Sequence, residues 1–129
     1  MQITNFKELI EASKLQATPQ RLLFLFAKAT ALENKVKTAH HSGTVEPVMC
    51  VDKLPSEIVS FEALIQEADS ISTKWDFVLI GSLSGTNGQP PTSQEADAPL
   101  SLMSNNLVNG KDISKYVILD REERQIILA

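Results

Sequence analysis

The chain has 129 residues, with 12 basic and 16 acidic side chains, a formal net charge of −4 and one cysteine. That length suits one domain, and 43% hydrophobic with 22% charged residues is a globular balance rather than a disordered one. A lone cysteine closes no intramolecular disulfide and builds no cysteine-rich metal site, and the longest apolar run, Leu22 to Ala27, falls far short of the ~20 residues of a membrane helix.

The N-terminal stretch carries scattered charge and no apolar core, so it does not read as a secretory signal. A cytoplasmic protein is expected. Asn5 can cap a first helix, with Glu8 three residues on completing a capping box. Phe6, Leu9, Ile10 and Ser13 share its face, and Thr18-Pro19 stops it. Arg21 to Ala29 is apolar without alternation, as in a strand covered on both faces. Thr30 to Gly43 reads as a loop, with a helical turn at Ala31 to Lys37. Val45 to Asp52 gives a second buried strand, and Pro47 belongs near its start because proline donates nothing to an interior ladder.

Pro55 to Ile71 shows the clearest helical period, with Ile58, Phe61, Leu64, Ile65, Ala68 and Ile71 on one side. Trp75 to Ser84 is a third strand. Strand, helix, strand implies that residues 45–52 and 75–84 are a parallel pair joined by a right-handed crossover. Gly85 to Pro91 is a turn-rich loop, and Thr92 with Glu95 makes a second capping box. Pro99 requires either a kink or a helix that starts there. Leu100, Met103, Leu107 and Val108 then form its buried face, and Gly110 closes it. Tyr116 to Leu119 and Arg124 to Leu128 read as a strand pair around the turn Asp120 to Glu123. The order α-β-β-α-β-α-β-β predicts an α/β fold: a single domain with a mixed sheet of about five strands and helices packed on it.

In open α/β sheets, ligands bind beyond the carboxyl ends of parallel strands. The loops there carry Lys28 and Thr30, Asp52 and Lys53, and Ser82, Ser84, Gly85 and Thr86. The last loop leads to a capped helix start at Thr92 and Ser93, where free amides favour an anion. These residues form the candidate site for a phosphate- or carboxylate-bearing ligand. GSLSGTNG nevertheless has neither the lysine nor the spacing of a P-loop.

Other chemistry is thinner. Cys50 reads as a small buried hydrophobe, since a nucleophilic thiol needs exposure and a lowered pKa. A Cys–His–Asp set with Asp52 and the His40-His41 pair is only formally available. Adjacent histidines on an extended chain point to opposite sides, so His40 and His41 read as solvated and no metal is expected. Glu57, Glu62, Glu67 and Asp69 look like the wet face of a helix, and no two carboxyls pair in an apolar pocket. No catalytic residue and no cofactor is assigned. Arg21 is expected to pair with Asp76. Trp75 is expected to pack over the sheet rim with its N–H bonded to backbone or water. The charge excess lies in the second half of the chain and no basic stripe appears, which disfavours nucleic acid. The apolar stretch Arg124 to Leu128 is a plausible sheet edge, which suggests a homodimer through an edge or a helix face.

Four segments, PQRLLFLFA from Pro19, PVMCVDKLP from Pro47, WDFVLIGSLSG from Trp75 and PPTS from Pro90, together with the C-terminal strand pair, resemble a family of small uncharacterised proteobacterial proteins. Its members are commonly labelled "ribonucleotide reductase subunit alpha". That label would imply a barrel enzyme several times this size with multiple redox cysteines, which one Cys50 does not supply. The resemblance therefore implies kinship and, at most, a regulatory or accessory relation to such an enzyme. The residues themselves favour a binding or regulatory module without catalysis. An enzyme or sensor of a small anion is the alternative, and an accessory subunit of a larger assembly is a third.

Overall fold

The computed structural model describes residues 5–30, 44–109, 113 and 115–126. Among them, four strands form one sheet: β1 (Gln20–Thr30), β2 (Thr44–Lys53), β3 (Phe77–Ser84) and β4 (Val117–Asp120), in the order β2-β1-β3-β4. Three helices flank it: α1 (Phe6–Lys14), α2 (Phe61–Asp69) and α3 (Asp97–Asn109). On one face, Phe6 and Leu9 of α1 and Phe61 and Leu64 of α2 meet Phe24, Phe26, Val78 and Ile80. On the other, Leu100, Met103 and Leu107 of α3 meet Leu23, Leu25, Phe77 and Leu79. Alternate side chains of β1 thus enter two different cores, which is why its middle tolerates no polar residue.

The expected parallel pair is not formed. Residues 45–52 and 75–84 do run in the same direction, but β1 lies between them and pairs antiparallel with both. β4 is antiparallel to β3 as well. The mixed five-stranded sheet is corrected to four antiparallel strands. An unbroken apolar run reports two covered faces, and it reads the same whichever way the neighbouring strand points. Of the predicted last strand, Gln125 bridges Leu119 and the Ile126 N–H donates to Ile118 O at 2.9 Å. Residues 127–129 lie outside the described residues, as do Gly110 and residues 31–43, where a loop with His40 and His41 is expected.

Helix starts follow their caps. Asn5 Oδ1 accepts the Glu8 N–H at 2.8 Å, and the Phe6 N–H reaches Glu123 Oε2 at 2.9 Å. α1 ends at Lys14, before Thr18-Pro19. The long helix expected over Pro55 to Ile71 is broken in two. Glu57 Oε1 takes the Leu54 N–H at 2.7 Å and closes a short 3₁₀ turn, Pro55–Glu57. Ser60 then caps α2 by accepting the Ala63 N–H at 3.0 Å. Ile71 falls beyond that helix and is 71% exposed. Thr92 and Glu95 form the predicted box, with bonds of 2.8 and 3.1 Å. One 3₁₀ turn, Gln94–Ala96, precedes α3, so Pro99 occupies its first turn, where no N–H is needed. Val108 is exposed rather than buried.

Candidate functional site

Antiparallel register gathers the start of β1 with the ends of β2 and β3, because Leu22 lies opposite both Lys53 and Ser82. Asp52, Lys53, Ser82, Ser84, Gly85, Thr86, Thr92 and Ser93 lie at or beside that end. Lys28 does not. It lies towards the far end of β1, opposite Glu46, with its Nζ 3.5 Å from the Glu46 carboxylate.

The sheet then divides the gathered residues between its faces. On the α3 side, Asp52 Oδ2 accepts from Arg21 Nη1 at 2.6 Å and Oδ1 from Ser93 Oγ at 3.0 Å. Arg21 Nε also donates to Pro91 O at 2.7 Å. Both carboxylate oxygens are thereby engaged, and β1, β2 and the lead into α3 are clamped together. The expected Arg21–Asp76 pair is corrected to Arg21–Asp52. Antiparallel β1 and β3 start at opposite ends of the sheet, and there Asp76 Oδ2 accepts the Ala29 N–H at 2.8 Å. Three amides of the glycine loop are spent on backbone: Gly85 N–H donates to Pro19 O, Thr86 N–H to Gln89 O and Gln89 N–H to Thr86 O. Thr92 and Ser93 are occupied by the capping box and by Asp52.

On the opposite face, Lys53 pairs with Glu67 at 2.9 Å. Ser82 and Ser84 line a cavity of about 350 Å³ between α1, β3 and the lead into β4, together with Ser13, Gln16, Gln20 and Lys115. Gln20 is 93% buried, being 7% exposed. Its Nε2 donates to Thr18 O at 2.9 Å and to Ser84 Oγ at 3.0 Å. Its carbonyl Oε1 accepts no bond from the described residues. Because no enclosed side-chain polar atom among the described residues is left without a partner, Oε1 opens on accessible space. Lys115 is exposed at the rim with its Nζ 5.4 Å from the Tyr116 ring centroid, and no described carboxylate pairs with it.

Reading the residues alone missed Gln20 and Lys115. The signal for Gln20 was present: an amide next to a seven-residue run containing no other uncharged polar side chain needs a reason to be enclosed. Lys115 carries no comparable signal, since its place depends on the sheet pairing.

Cys50 is exposed, which corrects its reading as a buried hydrophobe. β2 is an edge strand, so its apolar sequence does not enclose every side chain. Partial desolvation of this otherwise exposed side chain, followed by the charges of Asp52 and Asp97, pushes the thiol above its ordinary pKa, and a protonated thiol is a poor nucleophile. Among the described residues no cluster of three or more His, Cys, Asp or Glu could hold a metal, and no helix is long and apolar enough to cross a membrane. Compared with protein-family models, curated proteins and solved structures, the chain gives no significant match.

Proposed function

We propose that the protein is a binding module whose ligand sits in the cavity beside Gln20 and carries a carboxylate or phosphate. The carrying observation is the lining itself. The Ser82 and Ser84 hydroxyls and the Lys115 ammonium line one space, while Ser13 donates to Ile10 O and both Gln20 N–H groups are spent on Thr18 O and Ser84 Oγ, the second of which orients the Ser84 hydroxyl. No carboxylate, imidazole or thiol among the described residues lines it. Such a wall offers hydrogen bonds and one positive charge to an anion, and it offers no ordinary general base. Of the residues read from the chain, Ser82 and Ser84 belong to this reading. Lys28, Lys53 and Asp52 each face an opposite charge instead.

Thermal-shift titration against inorganic phosphate, nucleotides, sugar phosphates and small carboxylates tests it. A ligand at about 100 times its dissociation constant stabilises the fold by about 2.7 kcal/mol. Lys115→Ala and Ser84→Ala are expected to reduce that shift at least about tenfold in affinity, and Lys28→Ala to leave it unchanged. No shift with any class at millimolar concentration, or a shift indifferent to Lys115, overturns the reading.

A further inference from the structure

We propose that the ligand of the cavity beside Gln20 is a hydroxylated anion, a polyol- or sugar-like chain ending in a carboxylate or phosphate, and that Gln20 Oε1 accepts one of its hydroxyls. This rests on the anion site proposed above and adds a second recognition point to it. Gln20 is 7% exposed, and its neighbours set the orientation of its amide. Thr18 O can only accept, so the atom 2.9 Å from it must be the nitrogen, and the same Nε2 reaches Ser84 Oγ at 3.0 Å. Both N–H groups are thereby used. Oε1 takes the remaining direction, an acceptor with no donor among the described residues, on a side chain that lines the cavity.

The sheet register sets this acceptor across the cavity from the positive charge. Gln20 lies opposite Ser84 on the β1 side of β3. On the other side of β3, Ile80 lies opposite Val117. The Tyr116 ring comes within 3.1 Å of where a Gly81 Cβ would stand, on the α3 face. Lys115, one residue earlier, belongs to the opposite face, where it lines the cavity with Ser82. Gln20 and Lys115 therefore flank β3 from its two sides, two strand spacings or about 10 Å apart at the backbone, with the Ser82 and Ser84 hydroxyls between them. Ser84 Oγ accepts from Gln20, which leaves its own hydrogen to donate.

Each wall then selects a different part of a ligand. Lys115 and the two serines donate, and they suit the oxygens of an anion. Gln20 Oε1 only accepts, and it repels those same oxygens. A bare phosphate or acetate held at Lys115 leaves Oε1 to water. A ligand whose O–H lies several bonds from its charge satisfies both walls. The donor is a hydroxyl rather than an ammonium, because no carboxylate among the described residues lines the cavity to balance a second cation beside Lys115. Leu9, Ile80 and Val117 also line the space, which suits a carbon chain joining the two ends.

NMR titration of the full chain with inorganic phosphate and two matched pairs tests this: ω-hydroxyhexanoate against hexanoate, and ω-hydroxyhexyl phosphate against hexyl phosphate. The hydroxylated member of a pair should bind about five- to tenfold tighter, the worth of one hydrogen bond at a site that water can reach. The headgroup that binds tighter tells carboxylate from phosphate. Gln20→Met should bring the ratio within a pair to about one. In the unaltered protein, the carbon resonance of the Gln20 side-chain carbonyl should move with the hydroxylated member alone, a readout that stands even where the variant fails to fold. No binding by any probe, or binding that ignores Lys115→Ala, counts against the anion site itself and takes this proposal with it. Binding of phosphate or the plain chains that depends on Lys115, with no advantage to the hydroxylated members, overturns the Gln20 contact alone. A ratio that survives Gln20→Met, or a Gln20 carbonyl resonance that stays still, does the same. Tighter binding of ω-aminohexanoate than of ω-hydroxyhexanoate overturns the choice of a hydroxyl.

Discussion

The guanidinium of Arg121 lies over the indole of Trp75, its central carbon 3.9 Å from the ring centroid, and both side chains bond the same carboxylate. Asp69 Oδ1 accepts the Trp75 Nε1–H at 3.0 Å and Arg121 Nη2 at 3.1 Å, while Oδ2 accepts Nη1 at 3.2 Å. Arg121 also donates to Trp75 O and Thr73 O. Trp75 is almost fully enclosed, packed edge-on against Phe26 at 5.0 Å. The end of α2, the lead into β3 and the turn after β4 are thus joined at one acid. The indole partner is a carboxylate, where backbone or water was expected.

This arrangement makes the fold acid-sensitive. The Arg121 hydrogen bond, against a burial effect that works the other way, holds Asp69 below the ordinary carboxylate range, with help from Trp75. At Asp120, burial pushes upward but is outweighed by the Arg124 amide and guanidinium and the Glu122 amide. A carboxylate depressed in the fold contributes stability that is complete above its unfolded pKa of about 3.9 and is lost as pH falls through the folded value. The thermal midpoint should therefore hold above about pH 4–5 and drop below it. Asp69→Asn keeps an acceptor oxygen for the indole while removing a titrating group. It should be less stable at neutral pH and show a shallower fall in acid. Parallel curves for the two proteins would refute the assignment.

The turn after β3 gives a contrast between two glycines. Thr86 and Gln89 exchange both backbone bonds around Asn87 and Gly88, whose φ values are 51° and 75°, the signature of a type I′ turn. A Cβ on Gly88 meets nothing within 4 Å, so Gly88→Ala costs only the left-handed backbone penalty of about 1–2 kcal/mol. A Cβ on Gly85 would stand 1.8 Å from Gln89 O, an atom that cannot swing away as a side chain would. Gly85→Ala should cost about 3 kcal/mol or more in urea denaturation, by overpacking against backbone. Equal costs at the two positions would show that the turn relaxes freely.

These local devices were legible in the chain, and the sheet was not, for one physical reason. Asn5 with Glu8, Thr92 with Glu95 and the burial of Leu100, Met103 and Leu107 depend on neighbours within a few residues. Strand direction depends on partners dozens of residues away. FVLI in β3 announces two covered faces, a condition that an antiparallel β1 satisfies as well as a parallel β2. Every assignment built on strand direction moved with that choice. Lys28 went to the far end, Arg21 exchanged Asp76 for Asp52, and Ser82 and Ser84 came to the opposite face from Ser93. The helical period of Ile58 to Ile71 misled for a different reason. Ser60 and Glu57 offer the backbone local bonds that end one turn and begin another, and such competition outweighs a continuing apolar stripe.

The Arg21–Asp52 clamp is expected to contribute far more than the surface pairs, because its surroundings differ. Its side chains are 14% and 16% exposed and its N–O distance is 2.6 Å, whereas Lys28 and Glu46 are 40% and 55% exposed at 3.5 Å. An exposed pair is screened and contributes about 0–1 kcal/mol. Removing one member of an enclosed pair strands the other charge, at a cost that approaches 3–5 kcal/mol in a full interior. Arg21 is near but not within that limit, so Arg21→Ala should destabilise by about 2–3 kcal/mol. A double-mutant cycle with Asp52→Ala should return a coupling of about 1–2 kcal/mol. The same cycle on Lys28 and Glu46 should return less than about 0.5 kcal/mol. Because the clamp is on the α3 face, Arg21→Ala should leave the affinity of the cavity beside Gln20 unchanged while the protein remains folded. Coupling energies that are indistinguishable between the two pairs would mean that solvent screens Arg21 and Asp52 as fully as it does the surface.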